Sequence, residues 1–291
     1  MKILVTGAYG QLGSELKERS VDFPDRKFIF TDIDSLDIID NNMVEAYFRD
    51  KRPDFIINCA AYTAVDKAES DPHLAEKVNS LAPGFLAKAA KRLHAGMIHI
   101  STDYVYSGES FIPYNEADPV NPQTVYGKTK LEGERLCLAG NPDTVIIRTS
   151  WLYSFYGNNF VKKILQHGEL NSQVKVVFDQ TGTPTWASDL AAAVIAITEK
   201  FAENRKYFIP GIYNFSNEGV ASWYDFAKAV FEISGIDCDV IPVLSSEFPT
   251  QATRPHYTVL NKFKIKTTFG IDIPYWKESL KKCLNKIQNI K

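Results

Sequence analysis

Residues 2–13 confine this chain to a small set of folds. Lys2-Ile3-Leu4-Val5-Thr6 is an apolar run of strand character. Gly7-Ala8-Tyr9-Gly10-Gln11-Leu12-Gly13 follows it without a spacer and opens a helical stretch. The three glycines have separate tasks. Gly7 permits the tight turn, Gly10 lets backbone approach a pyrophosphate, and Gly13 lets the helix pack close to the sheet, leaving free N–H groups at the helix start to hold the anion. An ordinary glycine-rich turn has the same composition. The strand before it and the helix after it turn the reading toward a dinucleotide.

The rest of the first 150 residues repeats the alternation. Stretches 2–6, 27–31, 54–58, 97–101 and 144–148 read as five strands, nearly continuous in Ile, Val, Phe or Leu as strands covered on both faces require. Helical patterns such as 74–93 and 125–138 lie between them. Alternating elements of this kind predict an α/β fold, a doubly wound parallel sheet of the NAD(P)-binding Rossmann type, over residues 1–150. Residues 151–291 are more aromatic and richer in Pro and Gly, around helix candidates at 188–201, 222–234 and 275–287. They predict a smaller substrate lobe, with about 172–202 also serving the dinucleotide domain. With 33 basic against 35 acidic side chains, the net charge of −2 gives no field to hold a polyanion, so no nucleic-acid partner is expected. Apolar runs of about eight residues fall short of the roughly twenty that span a bilayer. No membrane partner is expected either. The N-terminus lacks the zones of a secretory signal, which predicts a cytoplasmic protein. Cys59, Cys137, Cys238 and Cys283 are far apart and read as unpaired, buried thiols.

Asp32 lies 19 residues beyond Gly13, where an acidic side chain commonly accepts hydrogen bonds from the adenosine ribose. That leans toward NADH, although a strand-end cap explains Asp32 equally and NADPH stays open. Asn58-Cys59-Ala60-Ala61-Tyr62 closes the third strand with small residues that let backbone pass under an adenosine or ribose. Tyr126 and Lys130 stand four apart on a predicted helix, hence on one face. Tyr47/Lys51 and Tyr224/Lys228 share that spacing. What distinguishes Tyr126/Lys130 is the hydroxyl-bearing run Ser101-Thr102-Asp103-Tyr104-Val105-Tyr106-Ser107-Gly108 at the end of the fourth strand, where α/β sheets present ligands. The ammonium of Lys130 is expected to lower the phenol's pKa, letting Tyr126 protonate a carbonyl oxygen as a hydride arrives. Lys130 would also bind nicotinamide-ribose hydroxyls, and Thr102 would orient the substrate oxygen.

With the glycine pattern, the S-T-D-Y-V-Y-S-G segment and Y-G-K-T-K-L-E-G-E, the chain resembles the extended short-chain dehydrogenase/reductases. Within them it is similar to the dTDP-4-dehydrorhamnose reductase family from Met1 to about Leu284. Further support comes from residues 60–69, Arg148-Thr149-Ser150-Trp151, Gly157-Asn158-Asn159-Phe160, residues 179–185 and Arg254-Pro255. The resemblance implies reduction of the 4-keto group of dTDP-4-dehydro-β-L-rhamnose to dTDP-L-rhamnose by NADH or NADPH. It implies Thr102, Tyr126 and Lys130 as the catalytic set. Gly10, Gln11, Leu12, Asp32, Asp37, Ala60, Ala61 and Tyr62, with Tyr126 and Lys130, would surround the dinucleotide. Thr102, Asp103, Trp151 and Arg254 would face the nucleotide-sugar. Trp151 as inter-lobe core and Arg254 as a surface ion pair are the alternatives.

In some members a metal joins two subunits through an early helix glutamate and downstream acidic residues. Here Glu15 is present but Asp189 is the sole acidic residue of 186–191. No required metal is expected, and monomer and homodimer both stay open. A dehydratase or epimerase of the same fold is the first rival; dehydration needs an added acid/base pair that resembles an Asp-Glu directly after the threonine, whereas Asp103 is followed by Tyr104. A non-catalytic dinucleotide-binding regulatory subunit is the rival of a different class.

Overall fold

The computed structural model describes residues 1–289. In chain order the principal elements are β1 (Lys2–Thr6), α1 (Gln11–Arg19), β2 (Lys27–Thr31), α2 (Asn41–Lys51), β3 (Phe55–Asn58), α3 (Ala82–Arg92), β4 (Gly96–Thr102), α4 (Val125–Gly140) and β5 (Thr144–Thr149). They continue through α5 (Phe160–Leu170), α6 (Ala187–Glu203), β6 (Gly211–Phe215), α7 (Trp223–Ser234) and α8 (Trp276–Gln288). The fold is a doubly wound Rossmann sheet with every pairing parallel, in the order β6-β5-β4-β3-β1-β2. Strand order reverses between β1 and β3, which opens a ligand crevice at their carboxyl ends.

Six strands form this sheet, where the sequence pattern marks five. The sixth, β6, comes from beyond residue 150 and pairs with β5 along its length. It carries Asn214 as its fourth of five residues, which breaks the apolar run that identifies the others. In the structure that amide is buried, donating to the Tyr114 carbonyl at 2.9 Å and accepting from the Tyr106 hydroxyl at 3.2 Å.

Each face of the sheet has its own core. Ile3, Val5, Ile57 and Ile147 pack with Leu12 and Leu16 of α1 and with Leu190, Val194 and Ile197 of α6. On the other face, Leu4, Ile56, Met97 and Ile146 meet Val44 and Phe48 of α2, Leu86 and Ala90 of α3, and Cys137 of α4. A third cluster binds α5, α7 and α8 together through Val161, Phe226, Val230, Trp276 and Leu280. All four cysteines are free; three are buried and Cys59 is half-buried. Among the described residues no helix is long and apolar enough to cross a membrane.

Candidate active site

The turn from β1 into α1 touches the end of β3 directly. Gly7 has φ +69°, and a methyl group there would lie 2.6 Å from the Ala60 nitrogen; one at Gly13 would lie 2.3 Å from the Gly7 carbonyl oxygen. Only glycine allows that proximity. α1 begins at Gly10 with no side-chain cap and no acidic residue in its first turn, so its positive end is not neutralised from within. Leu12 is buried in the core beneath the turn. These features fit a dinucleotide pyrophosphate. Asp32 stands just past β2 and splints the loop, its carboxylate accepting from Tyr9 N at 2.8 Å and Ile33 N at 2.9 Å. Asp37, in the following loop, accepts from Ile39 N at 3.2 Å. Gln11 reaches the segment before α5, accepting from Asn159 Nδ2 at 3.1 Å and donating to the Leu152 carbonyl at 3.5 Å.

Residues 74–93, expected as one helix, form two helices around a π-helical stretch, Lys77–Leu81. Pro83 gives the reason. It has no N–H for the carbonyl of Asn79 four residues back, and its ring crowds that carbonyl. The freed carbonyl turns toward α4 at Gly133, where an added methyl would come within 2.0 Å of it. The Asn79 side chain, fully buried, accepts from Tyr62 N at 2.8 Å and donates to the Tyr62 carbonyl at 3.1 Å and the Thr129 hydroxyl at 3.3 Å. The Ala60-Ala61-Tyr62 wall is thereby fastened to the helix bearing Tyr126.

Thr102 ends β4, and α4 runs back beneath it. The Thr102 hydroxyl donates to Asp103 Oδ1 at 3.0 Å, and Tyr126 packs edge-on against Tyr104 with centroids 5.5 Å apart. Lys130 is 1% exposed, and its Nζ donates to the Ile100 carbonyl at 2.6 Å. Of the two other Tyr/Lys pairs, Lys51 has its side chain 45% exposed beside Asp50, and Lys228 lies on the helix α7, remote in sequence from β4. The expected electrostatics need correction. Burial raises the Tyr126 phenol above its ordinary value, the Thr102 hydroxyl opposes that rise, and Asp103 and Tyr104 add to it. Lys130 is not among the groups that move it. Burial instead lowers Lys130 itself to about 8. Desolvation outweighs the i, i+4 attraction that sequence spacing suggests.

Asp103 is 2% exposed, and its Oδ2 has no hydrogen-bond partner. Desolvation lifts its carboxyl to about 7, against the pull of Thr258, Thr102 and nearby backbone N–H groups. In the unfolded chain an aspartate ionises near about 3.9. Between those pH values the native state keeps a proton that the unfolded state has released, so stability falls as pH rises through the window. Asp103→Asn removes this dependence. Its Tm is expected to gain several degrees on the parent between about pH 4 and about pH 7; a Tm difference constant across that range, read in parallel thermal melts, contradicts the assignment.

Arg254 is ion-paired with Asp66 and lies 3.4 Å from the Tyr104 hydroxyl. It borders a cleft formed with Tyr104, Gly108, Gln123, Thr124 and His256. Trp151 adopts φ +46°, a conformation a bulky side chain holds only when its surroundings fix it. It stacks on Trp223 at 3.7 Å and 7°, and Thr185 N donates to its carbonyl. One ring face is therefore covered by a residue of the same 151–291 stretch. Glu15 is buried and accepts from the Ser154 hydroxyl, while Asp189 accepts from Asn217 and Ser279. Asp189 is engaged within the chain, whereas Glu15 Oε2 is buried with no hydrogen-bond partner, 3.8 Å from Lys286 Nζ.

Several neighbours lie within the quoted segments but carry no role assigned from sequence. Glu69 accepts from Val125 N at 2.9 Å at the start of α4. Glu134, one turn beyond Lys130, forms a buried bidentate pair with Arg148 of β5 and also accepts from the Ser101 hydroxyl. The available signal was a single row on α4, with Tyr126, Lys130 and Glu134 at four-residue steps and an acid at a position that has to be inward.

A family model described as the RmlD substrate binding domain matches residues 1–289. A dTDP-4-dehydrorhamnose reductase of Sinorhizobium fredii is 42% identical over 286 residues, covering 97% of this chain and 96% of that one. The chain belongs to the dTDP-4-dehydrorhamnose reductase family. Among solved members of this reductase family, the Clostridium acetobutylicum protein superposes with a TM-score of 0.94 at 44% identity, covering 99% of this chain and all of that one. The Bacillus anthracis reductase, solved in complex with NADP, gives 0.92 at 34% identity, covering 98% and 99%.

Proposed function

We propose that this protein reduces the 4-keto group of dTDP-4-dehydro-β-L-rhamnose to dTDP-L-rhamnose, drawing on NADH or NADPH, with Tyr126 as general acid. The observation that carries the reading is a half-buried phenol beside the Thr102 hydroxyl, one helical turn from a buried lysine, next to a glycine loop that fits a pyrophosphate. The dinucleotide supplies hydride when bound. The chain's own part is to hold the ketone and deliver a proton. A raised pKa suits that part, because the phenol stays protonated at neutral pH until charge develops on the carbonyl oxygen. Thr102 turns its hydroxyl from Asp103 to that oxygen and fixes its geometry. Lys130 faces the ribose side, and Arg254 exchanges Asp66 for a substrate phosphate. Residues 1–150, with about 172–202, serve the dinucleotide in this reading, and most of 151–291 serves the sugar nucleotide.

Elimination or epimerisation chemistry has less support. The position after Asp103 holds Tyr104, whose ring packs on Tyr126 and whose hydroxyl contacts Arg254, so no second carboxylate stands there. The test is a panel of dTDP- and other nucleotide-linked 4-keto sugars with each reduced dinucleotide. Stoichiometric loss of nicotinamide absorbance with the rhamnose precursor is the expected result. Dinucleotide binding without net oxidation for any sugar would overturn the proposal in favour of a redox-neutral enzyme or a regulatory subunit.

A further inference from the structure

Beneath Lys130 lies a buried chain of polar groups that the reaction as described leaves unused. His99 sits mid-way along β4 with no exposure, in register with Asn58 of β3 and Ile146 of β5. Its Nδ1 is 3.0 Å from Asn58 Nδ2, and its Nε2 is 3.5 Å from Lys130 Nζ. The orientation of the Asn58 amide is fixed from the other side. The backbone N–H of Ala60 can only donate, and it donates to Asn58 Oδ1 at 3.2 Å; the Thr6 hydroxyl donates to the same oxygen at 2.7 Å. Asn58 therefore presents its NH2 group to the imidazole, and Nδ1 has to accept. A neutral imidazole that accepts at Nδ1 carries its hydrogen at Nε2, facing Lys130. An ammonium, which has only donors, meets another donor there; an uncharged amine has a lone pair to receive it.

We propose that His99 is a positioning residue for the reaction: locked as the Nε2–H tautomer by Asn58 and the Ala60 amide, it favours the uncharged form of Lys130. The remaining surroundings divide. From β4 the Ile100 carbonyl accepts from Nζ in either protonation state. Cys59 beyond β3, and Glu134 and Cys137 on α4 itself, are the other titratable groups facing Lys130, and each favours the charged form. From β5, Arg148 reaches this cluster through its pair with Glu134. Burial disfavours charge on His99 and on Lys130 alike, which keeps the imidazole neutral over the range in which the lysine titrates. Because Ala60 belongs to the wall beside the glycine loop, the backbone that fits the dinucleotide also sets the hydrogen position behind the lysine.

The inference deepens the placing of Lys130 in the catalytic set, and its test is read without turnover. In full-length protein labelled with 15N-histidine and 13Cε-lysine, long-range proton–nitrogen spectra give the His99 tautomer, and the Lys130 resonance, assigned with Lys130→Met, gives its titration midpoint. The expected result is an Nε2–H imidazole at neutral pH and, in His99→Met, a midpoint raised by about one pH unit, with dinucleotide affinity held within about twofold. An Nδ1–H tautomer or an imidazolium would overturn the proposal, as would a midpoint unmoved or lowered in folded His99→Met. Should that variant not fold, the tautomer in the unaltered protein decides alone. Absence of ketone reduction, with these spectra as expected, would strike the proposed reaction and leave this inference standing.

Discussion

Tyr126→Phe is expected to lower kcat for reduction of the 4-keto sugar by about 10²–10⁴-fold, the usual range for loss of a positioned proton donor. The phenol lies against Tyr104 and is buried enough to raise its pKa, so the phenylalanine ring fills the same space and the fold should be unaffected. KM for the sugar nucleotide should change little, because the substitution leaves Arg254, the proposed phosphate contact, in place. Transient kinetics with NADPH provide the check. Binding should persist while the hydride-transfer burst disappears, and a variant as fast as the parent would remove Tyr126 from the chemistry.

The second large effect is on stability. Arg148 and Glu134 pair bidentately with side chains 3% and 2% exposed, and the guanidinium also donates to the Tyr106 hydroxyl at 2.9 Å. Arg148→Met leaves the Glu134 carboxylate buried without its cation, a change that typically costs about 3–5 kcal/mol. For a chain of this size that corresponds to a Tm lower by roughly 10 °C. The double variant Arg148→Met, Glu134→Leu replaces both charges by apolar groups and should recover most of the loss. Calorimetry of the singles and the double separates pairing from burial. A double variant as unstable as Arg148→Met would show that shape, rather than the stranded charge, is responsible.

The apolar runs of β1 to β5 are legible in sequence because strands covered on both faces leave little room for polar side chains. β6 is not, because Gly211 and Asn214 interrupt it and its partners, Tyr106 and Tyr114, lie about a hundred residues away. Tyr126 and Lys130 are legible because helical spacing puts them on one face. Their electrostatics are not, since the outcome depends on how much water the fold removes, and spacing does not carry that. Asn58 and His99 meet only through the register of β3 on β4, and the Asp66–Arg254 pair joins positions 188 residues apart. The π-helical stretch is half legible. Pro83 announces a disturbance, but its shape depends on α4 standing at Gly133.

The row of Tyr126, Lys130 and Glu134 on α4 also bears on how lineages of this protein can diverge in length. Each residue advances an α-helix by about 100°. A single insertion or deletion between 126 and 134 would swing the phenol to another side of the cylinder while the ion pair held the far end still. Evolution can lengthen or trim the exposed connection around Phe111 and Ile112, but these nine positions keep a fixed count, as the divisions of a ruler do.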